Sequence, residues 1–280
     1  MIAAYHNWVY QFIPFEWASH LFMQNALLAV LLVTPLFAIL GTMVVNNKMA
    51  FFSDALGHSA LTGIAIGVVL GLHDPLGAML VFSIILALGI TMVKSSTTSS
   101  PDTIIGVFSA TAVALGIVIL SRGGGFTKYS RYLIGDILSI SPGELVMLIG
   151  LVLGTLVFWV FMFNPLLMVS VNPSLARSRG FKVRLLEIIF SIIMAVIITI
   201  SIQWVGLLII NSLLILPAAS ARNISRNMRQ YHLFSVGIAL CSGLAGLLLS
   251  YYWGTATGAT IVLCSAVFFL LTILLKFKAR

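Results

Sequence analysis

Ala112-Val113-Ala114-Leu115-Gly116-Ile117-Val118-Ile119-Leu120 is an unbroken run with no charge and no hydrogen-bonding side chain. It sits inside an apolar segment near 103–121, long enough at about 1.5 Å per residue to cross a hydrocarbon layer about 30 Å thick. Leu27 to Val33 reads the same way. A transmembrane β-barrel would alternate apolar and polar residues along each strand, and these runs do not. The segment therefore predicts a membrane-spanning helix, in which every backbone polar group is satisfied within the segment itself.

The rest of the chain repeats this pattern. It has 280 residues, 60% hydrophobic and only 8% charged, with mean hydropathy +1.14. A soluble domain carries about 25% charged residues, so a water-exposed globule is excluded. Nine apolar segments lie near 18–45, 54–71, 76–93, 103–121, 143–163, 184–202, 204–219, 232–251 and 256–275. The first is long enough to tilt. The seventh is short and reads as ending at Pro217, the form of a broken or partial span. A second short helix fits 127–140, where Tyr129, Tyr132, Leu133 and Ile134 have an interfacial character. The fold class is an all-α polytopic membrane protein with eight or nine transmembrane helices. No internal repeat or soluble domain is visible, so residues 1–280 read as one transmembrane domain.

The net charge of +8 sets topology; it does not point to nucleic acid. Lys48, Lys94, Arg177, Arg179, Lys182, Arg184, Arg222, Arg226, Arg229, Lys276, Lys278 and Arg280 fall on one side of the segments, which the positive-inside rule makes cytoplasmic. Arg122, Lys128 and Arg131 fall on the other. The N-terminus is then expected outside and the C-terminus inside. Cys241 and Cys264 lie within late apolar segments and read as small packing residues, not as a disulfide. Residues 1–16 do not have the form of a cleavable signal peptide.

Seven carboxylates exist in the chain: Glu16, Asp54, Asp74, Asp102, Asp136, Glu144 and Glu187. Asp54 stands four residues before His58, which places both side chains on one helix face. A carboxylate and an imidazole converging in a membrane segment suit a divalent transition metal. The competing reading makes Asp54 the cap of the second helix, after Asn46-Asn47-Lys48, and His58 a buried partner. Ionisable groups are costly in a membrane segment without a use, which favours the ligand reading. Coordination needs a neutral imidazole, so metal handling should weaken on acidification.

Two further stretches matter. In the basic loop 172–184, Ser174-Leu175-Ala176-Arg177 fits a short helix after Pro173, closed by Gly180. A solvated loop is one reading; a docking helix for a cytoplasmic partner, with Leu175 and Phe181 as apolar anchors, is the other. In Val205 to Arg222, Asn211 and Ser212 interrupt an apolar run. Polar side chains there usually bond a neighbouring helix, and lining a path is the sharper alternative. Asp74, in His73-Asp74-Pro75, reads as a turn that could also receive a cation. Asp136 is a cap or a vestibule residue. Ser100-Pro101-Asp102 starts a helix, and Glu187 reads as the ion partner of Arg184. His6, His20 and His232 are isolated and carry no expected role. No phosphate-binding G-x-x-x-x-G-K-[ST] loop, nucleophile elbow or H-E-x-x-H helix occurs, so no enzyme activity is expected.

Phe51-Phe52-Ser53-Asp54-Ala55-Leu56-Gly57-His58-Ser59-Ala60-Leu61, the loop 172–184, Gly135-Asp136-Ile137-Leu138 and Val205 to Arg222, taken in order, resemble the permease subunit of bacterial zinc/manganese ABC importers. The resemblance covers nearly the whole chain. It implies a type II ABC importer permease fold in the bacterial inner membrane, and a homodimer through whose interface metal passes. It also implies a cytoplasmic ABC ATPase dimer and an external metal-binding protein as partners. Asp54 and His58 match family positions implicated in metal coordination. Ser174, Leu175, Ala176, Gly180 and Phe181 match the coupling helix that inserts into the ATPase. Asn211, Ser212, Asp136 and Asp74 are candidates to line the path. No permanently bound cofactor is implied; the metal is cargo. The wording of Val205–Arg222 and Gly-Asp-Ile-Leu resembles zinc-uptake members. Zn²⁺ accepts imidazole well, whereas Mn²⁺ prefers more oxygen ligands, which water or a second subunit could supply. A manganese or iron importer permease, a secondary metal/proton transporter using Asp54 as proton carrier, and a structural or signalling membrane protein remain as alternatives.

Overall fold

The structure is a computed structural model, which describes residues 15–72, 74–123 and 137–278. Among these residues it is entirely helical. Ten helices follow in order: α1 Leu21–Asn46, α2 Ala50–Val69, α3 Leu76–Ser96, α4 Pro101–Gly123, α5 Pro142–Val171, α6 Pro173–Ser178, α7 Val183–Val205, α8 Leu207–Ile224, α9 Met228–Trp253 and α10 Thr257–Lys278. Short 3₁₀ turns stand at Glu16–Ser19 and Ile137–Ser139. All nine apolar segments are helices, and eight are long and apolar enough to cross a membrane. The exception is α8, the seventh segment.

Pro217 does not end α8, which runs on to Ile224. Pro35 and Pro165 are likewise inside α1 and α5. Membrane helices tolerate such prolines because neighbouring groups satisfy the carbonyl that the missing N–H leaves free. The short helix expected over 127–140, and Asp136 with it, lie mostly outside the described residues; the turn Ile137–Ser139 is the part observed.

Two groups of helices form compact units. The first comprises residues 43–72, 74–123 and 157–211. At its centre α2 packs against α3, α4 and α7, and α7 also packs on α3. Most of the α2 span, 72%, is buried, against 28% for α4, so α2 is the enclosed helix of the group. The α3–α7 pairing is antiparallel. Thr91 Oγ1 donates to Ser191 Oγ at 2.7 Å, and at the other end Gln203 Nε2 lies 4.0 Å from Met79 Sδ. Ser59 and Ser83 hydroxyls meet at 3.3 Å between α2 and α3, and Thr62 Oγ1 donates to the Ala112 carbonyl of α4. Lys94 and Glu187 form an ion pair at 3.8 Å across α3 and α7. That pairing corrects the expectation that Glu187 pairs with Arg184: α7 turns Glu187 toward α3, and Arg184 is exposed.

The α7–α8 junction is a single residue. Gly206 has φ +87° and ψ 154°, a backbone geometry that glycine alone adopts readily. Its N–H donates to the Ile202 carbonyl at 3.0 Å, closing α7, and its carbonyl accepts from Ile210, opening α8. Leu207 then packs directly over Gly57, where a Cβ would collide with Leu207 Cδ1.

The second unit comprises residues 15–42, 137–156 and 212–278. In it α9 packs against α10 at Gly246, where a Cβ would stand 2.5 Å from Ile261 Cα. Ser235 Oγ donates to the Ala38 carbonyl at 3.0 Å, and Asn25 Nδ2 to the Ile140 carbonyl at 3.2 Å. His232, expected to have no role, bonds Thr42 Oγ1 at 3.0 Å. Cys241 and Cys264 are free thiols, and Cys241 is exposed where packing was expected.

Candidate functional site

Asp54 is the fifth residue of α2, one full turn past the helix start. The N-cap is Met49, which makes no side-chain capping bond. The capping reading of Asp54 therefore falls. Its side chain instead stands one turn from His58, with Nε2 3.5 Å from Asp54 Oδ1. Both side chains are about two-fifths exposed, 42% and 43%, while Ala55, Leu56, Gly57, Ser59 and Ala60 around them are buried. In the first three turns of α2, Ala50, Phe51, Asp54 and His58 are the residues that are not buried, and Phe51, Asp54 and His58 share one face.

A third polar group joins them. Asn211, near the start of α8, donates from Nδ2 to Asp54 Oδ1 at 2.8 Å. Its own Oδ1 is buried and accepts no hydrogen bond among the described residues. Three side chains of different chemistry thus meet on one carboxylate oxygen: an amide that donates, an imidazole nitrogen and the carboxylate itself. Such a set offers a divalent cation one carboxylate and one imidazole, two of the ligands a first-row metal takes. Among the described residues no group of three or more His, Cys, Asp or Glu comes together.

The other candidates separate. Ser212 is buried, and its Oγ has no partner among the described residues. Asp74 is exposed at the start of α3, beyond the far end of α2, and its Oδ1 accepts the Leu76 N–H at 2.9 Å; that is the turn role. Ser100 caps α4 by accepting the Thr103 N–H at 3.2 Å.

The basic loop folds as the sequence suggested. Asn172 Oδ1 accepts the Leu175 N–H at 3.0 Å and so caps α6, with Pro173 in its first turn. At the other end Gly180 takes φ +83°, its N–H donates to Arg177, and the Phe181 N–H donates to the Ala176 carbonyl at 3.1 Å. Ala176 is buried, and Leu175 projects outward, 48% exposed. Arg177, Arg179, Lys182 and Arg184 are all exposed around it. An apolar knob ringed by cations is a surface suited to a protein partner.

A model of the ABC 3 transport family matches residues 19–276. The chain belongs to the ABC 3 transport family. The high-affinity zinc uptake system membrane protein ZnuB of Haemophilus influenzae is 36% identical to this ABC 3 family member over 256 residues, 89% of this chain and 95% of its own. The manganese import system permease protein ScaB of Streptococcus parasanguinis is 30% identical over 259 residues, 92% of each. The solved structure of PsaBC from Streptococcus pneumoniae in complex with Fab contains a chain with the same fold. Its TM-score is 0.77 at 27% identity, over 97% of this chain and 95% of that one. The resemblance read from the sequence is upheld, and the all-helical permease fold with it.

The sequence pointed to Asp54 and His58 as a pair and to Asn211 separately, and did not join Asn211 to the pair. The two positions are 157 residues apart, and nothing local in either stretch encodes the contact. Gly57 was the available signal, since a glycine between two ligand candidates marks a close approach by another element.

Proposed function

We propose that this chain is the membrane permease subunit of an ATP-driven importer for divalent metal ions, with zinc as the cargo. The observation that carries this is the Asp54–His58 pair, side by side and half-open on the most enclosed helix of an apolar chain. Two strong ligands bind a transition metal and still release it, where a closed four-ligand cage would hold it. Zinc is favoured over manganese by the imidazole and by the 36% identity to a protein named for zinc uptake.

The remaining ligands come, on this reading, from a second copy of the chain, which sets its own Asp54 and His58 across a dimer interface, and from water. The ATPase is a separate cytoplasmic chain that grips Ser174 to Phe181 around α6, and an external binding protein delivers the ion on the opposite side. The N-terminus is outside and the C-terminus cytoplasmic, which puts the pair in the inner half of the membrane, because α2 starts from the basic side at Lys48.

The test is metal-dependent growth and zinc uptake in cells lacking their own zinc and manganese importers, supplied with this chain, its ATPase and its binding protein. Asp54→Ala and His58→Ala should each abolish uptake at unchanged protein levels. Full uptake by both variants would sink the ligand role. Uptake by the chain alone in proteoliposomes, with no ATPase, would instead support a secondary transporter.

A further inference from the structure

We propose that Asn211 is a positioning residue that makes Asp54 a one-oxygen ligand and so tunes the site toward the smaller, lower-coordinate ion. The inference rests on the reading of Asp54 and His58 as ligands for the cargo. Asn211 Nδ2 donates to Asp54 Oδ1 at 2.8 Å, and His58 Nε2 stands 3.5 Å from that same atom. Among the described residues no donor reaches the second carboxylate oxygen. One oxygen is thus occupied from two sides, and the other is the one left for an incoming cation.

The direction of the amide follows from chemistry. A carboxylate accepts and never donates when ionised, so only the NH₂ of Asn211 can face it. The consequence is the stranded Oδ1 of Asn211, buried and without a donor among the described residues. A buried acceptor left unpaired is unfavourable. Leu207, Ile209 and Ile210, which precede it along α8, are buried and apolar, so an apolar residue at 211 would suit this stretch without that penalty. The amide is retained where its one available bond is to the candidate ligand.

Gly57 is the other half of the device. It lies between Asp54 and His58 in the chain, and its missing Cβ leaves the space that Leu207 fills. Leu207 is one helical turn before Asn211 on the same face of α8. The close approach of α8 to α2 at Gly57 therefore brings the short side chain of Asn211 to Asp54.

A carboxylate held by one oxygen counts as a single ligand, which suits four-coordinate Zn²⁺. A carboxylate free to chelate with both oxygens favours ions that take six or more oxygen ligands, such as Mn²⁺. Removing the donor should erode the preference for zinc as well as the affinity.

The test uses the purified full-length chain in nanodiscs with Co²⁺ as a spectroscopic probe, displaced by Zn²⁺ or by Mn²⁺. Asn211→Leu keeps the volume without the donor, and Asn211→Gln returns an amide on a longer arm. Loss of an outer-shell partner of this kind lowers metal affinity about 10–100-fold. Asn211→Leu should weaken Co²⁺ binding at least about tenfold, change the visible Co²⁺ band, and cut the zinc-over-manganese ratio about tenfold; Asn211→Gln should recover part of the ratio. Asn211→Ser, polar but too short to reach Asp54, gives the same result by a second route if the leucine variant does not fold. Wild-type affinity and ratio in a folded Asn211→Leu or Asn211→Ser, with Asp54→Asn losing the probe, would overturn the positioning role and leave the ligand pair standing. Wild-type Co²⁺ binding in Asp54→Asn itself would overturn both.

Discussion

A single methyl group at position 63 tests the packing that holds α2 in place. A Cβ on Gly63 would overlap Met79 Cα, and it would stand 3.0 Å from Met79 N and 3.2 Å from the Ala78 carbonyl. All of these are backbone atoms of α3, so no side chain can rotate away. Carbon atoms pack best at about 3.5–4.0 Å, so Gly63→Ala must push the two helices apart by about 1 Å. Overpacking of this kind costs about 1–3 kcal/mol. The same displacement opens the Ser59–Ser83 contact one turn away, already at 3.3 Å, for about another 0.6 kcal/mol. Alanine offsets up to about 1 kcal/mol of this through its better helix propensity, so the net loss is about 1–3 kcal/mol, and at about 2–4 °C per kcal/mol the variant should melt roughly 2–12 °C below the wild type. The assay is thermal unfolding of the detergent-solubilised full chain, followed by circular dichroism. Gly77→Ala is the control, because a Cβ there meets nothing within 4 Å and an alanine in a helix gains up to about 1 kcal/mol over glycine. A wild-type melting curve for Gly63→Ala, or an equal loss in Gly77→Ala, would refute the reasoning.

The Lys94–Glu187 pair should show a coupling of about 0.5–1 kcal/mol in a double-mutant cycle with glutamine at each position, while Arg184 and Glu187 add independently; measurable coupling only to Arg184 would reverse the assignment. Gly180→Val forces a β-branched residue to φ +83°, at about 1–2 kcal/mol, and should weaken copurification of the ATPase without lowering the amount of chain. Gly254→Val imposes comparable strain at φ +63° far along the sequence and should keep the partner bound. Equal retention in both variants would count against α6 as the docking element.

The nine apolar helices among the described residues, eight of them long enough to span, were legible because an apolar run is a property of each segment alone. Their edges were less so. The apolar run placed the second segment at 54–71, whereas α2 starts at Ala50, directly after the turn at Asn47–Lys48 with Lys48 at φ +55°. Pro217 also misled, since a rule drawn from water-exposed helices overstates what proline does inside an apolar bundle. Glu187 followed a local i, i+3 prior, and the observed partner lies on another helix. The short α6 after Pro173 and its closing Gly180 were readable because the signals are local; the Asn172 cap was not read. The Asn211–Asp54 contact was not readable, because it depends on how α8 leaves Gly206 and how near it comes to Gly57.

Gly206 also limits how this protein can move. With α7 closed at Ile202 and α8 opened at Ile210, the N–H groups of Leu207 to Ile209 and the last carbonyls of α7 have no partner within either helix. Val205, Gly206 and Leu207 are buried, so protein shields these groups from lipid, where each would cost several kcal/mol bare. Swinging the junction away from α2 would strip that shield from a whole cluster of them at once. Leu207 over Gly57 is the contact that ties this junction to α2, so a motion that parted the two would uncover unpaired backbone as well as apolar surface.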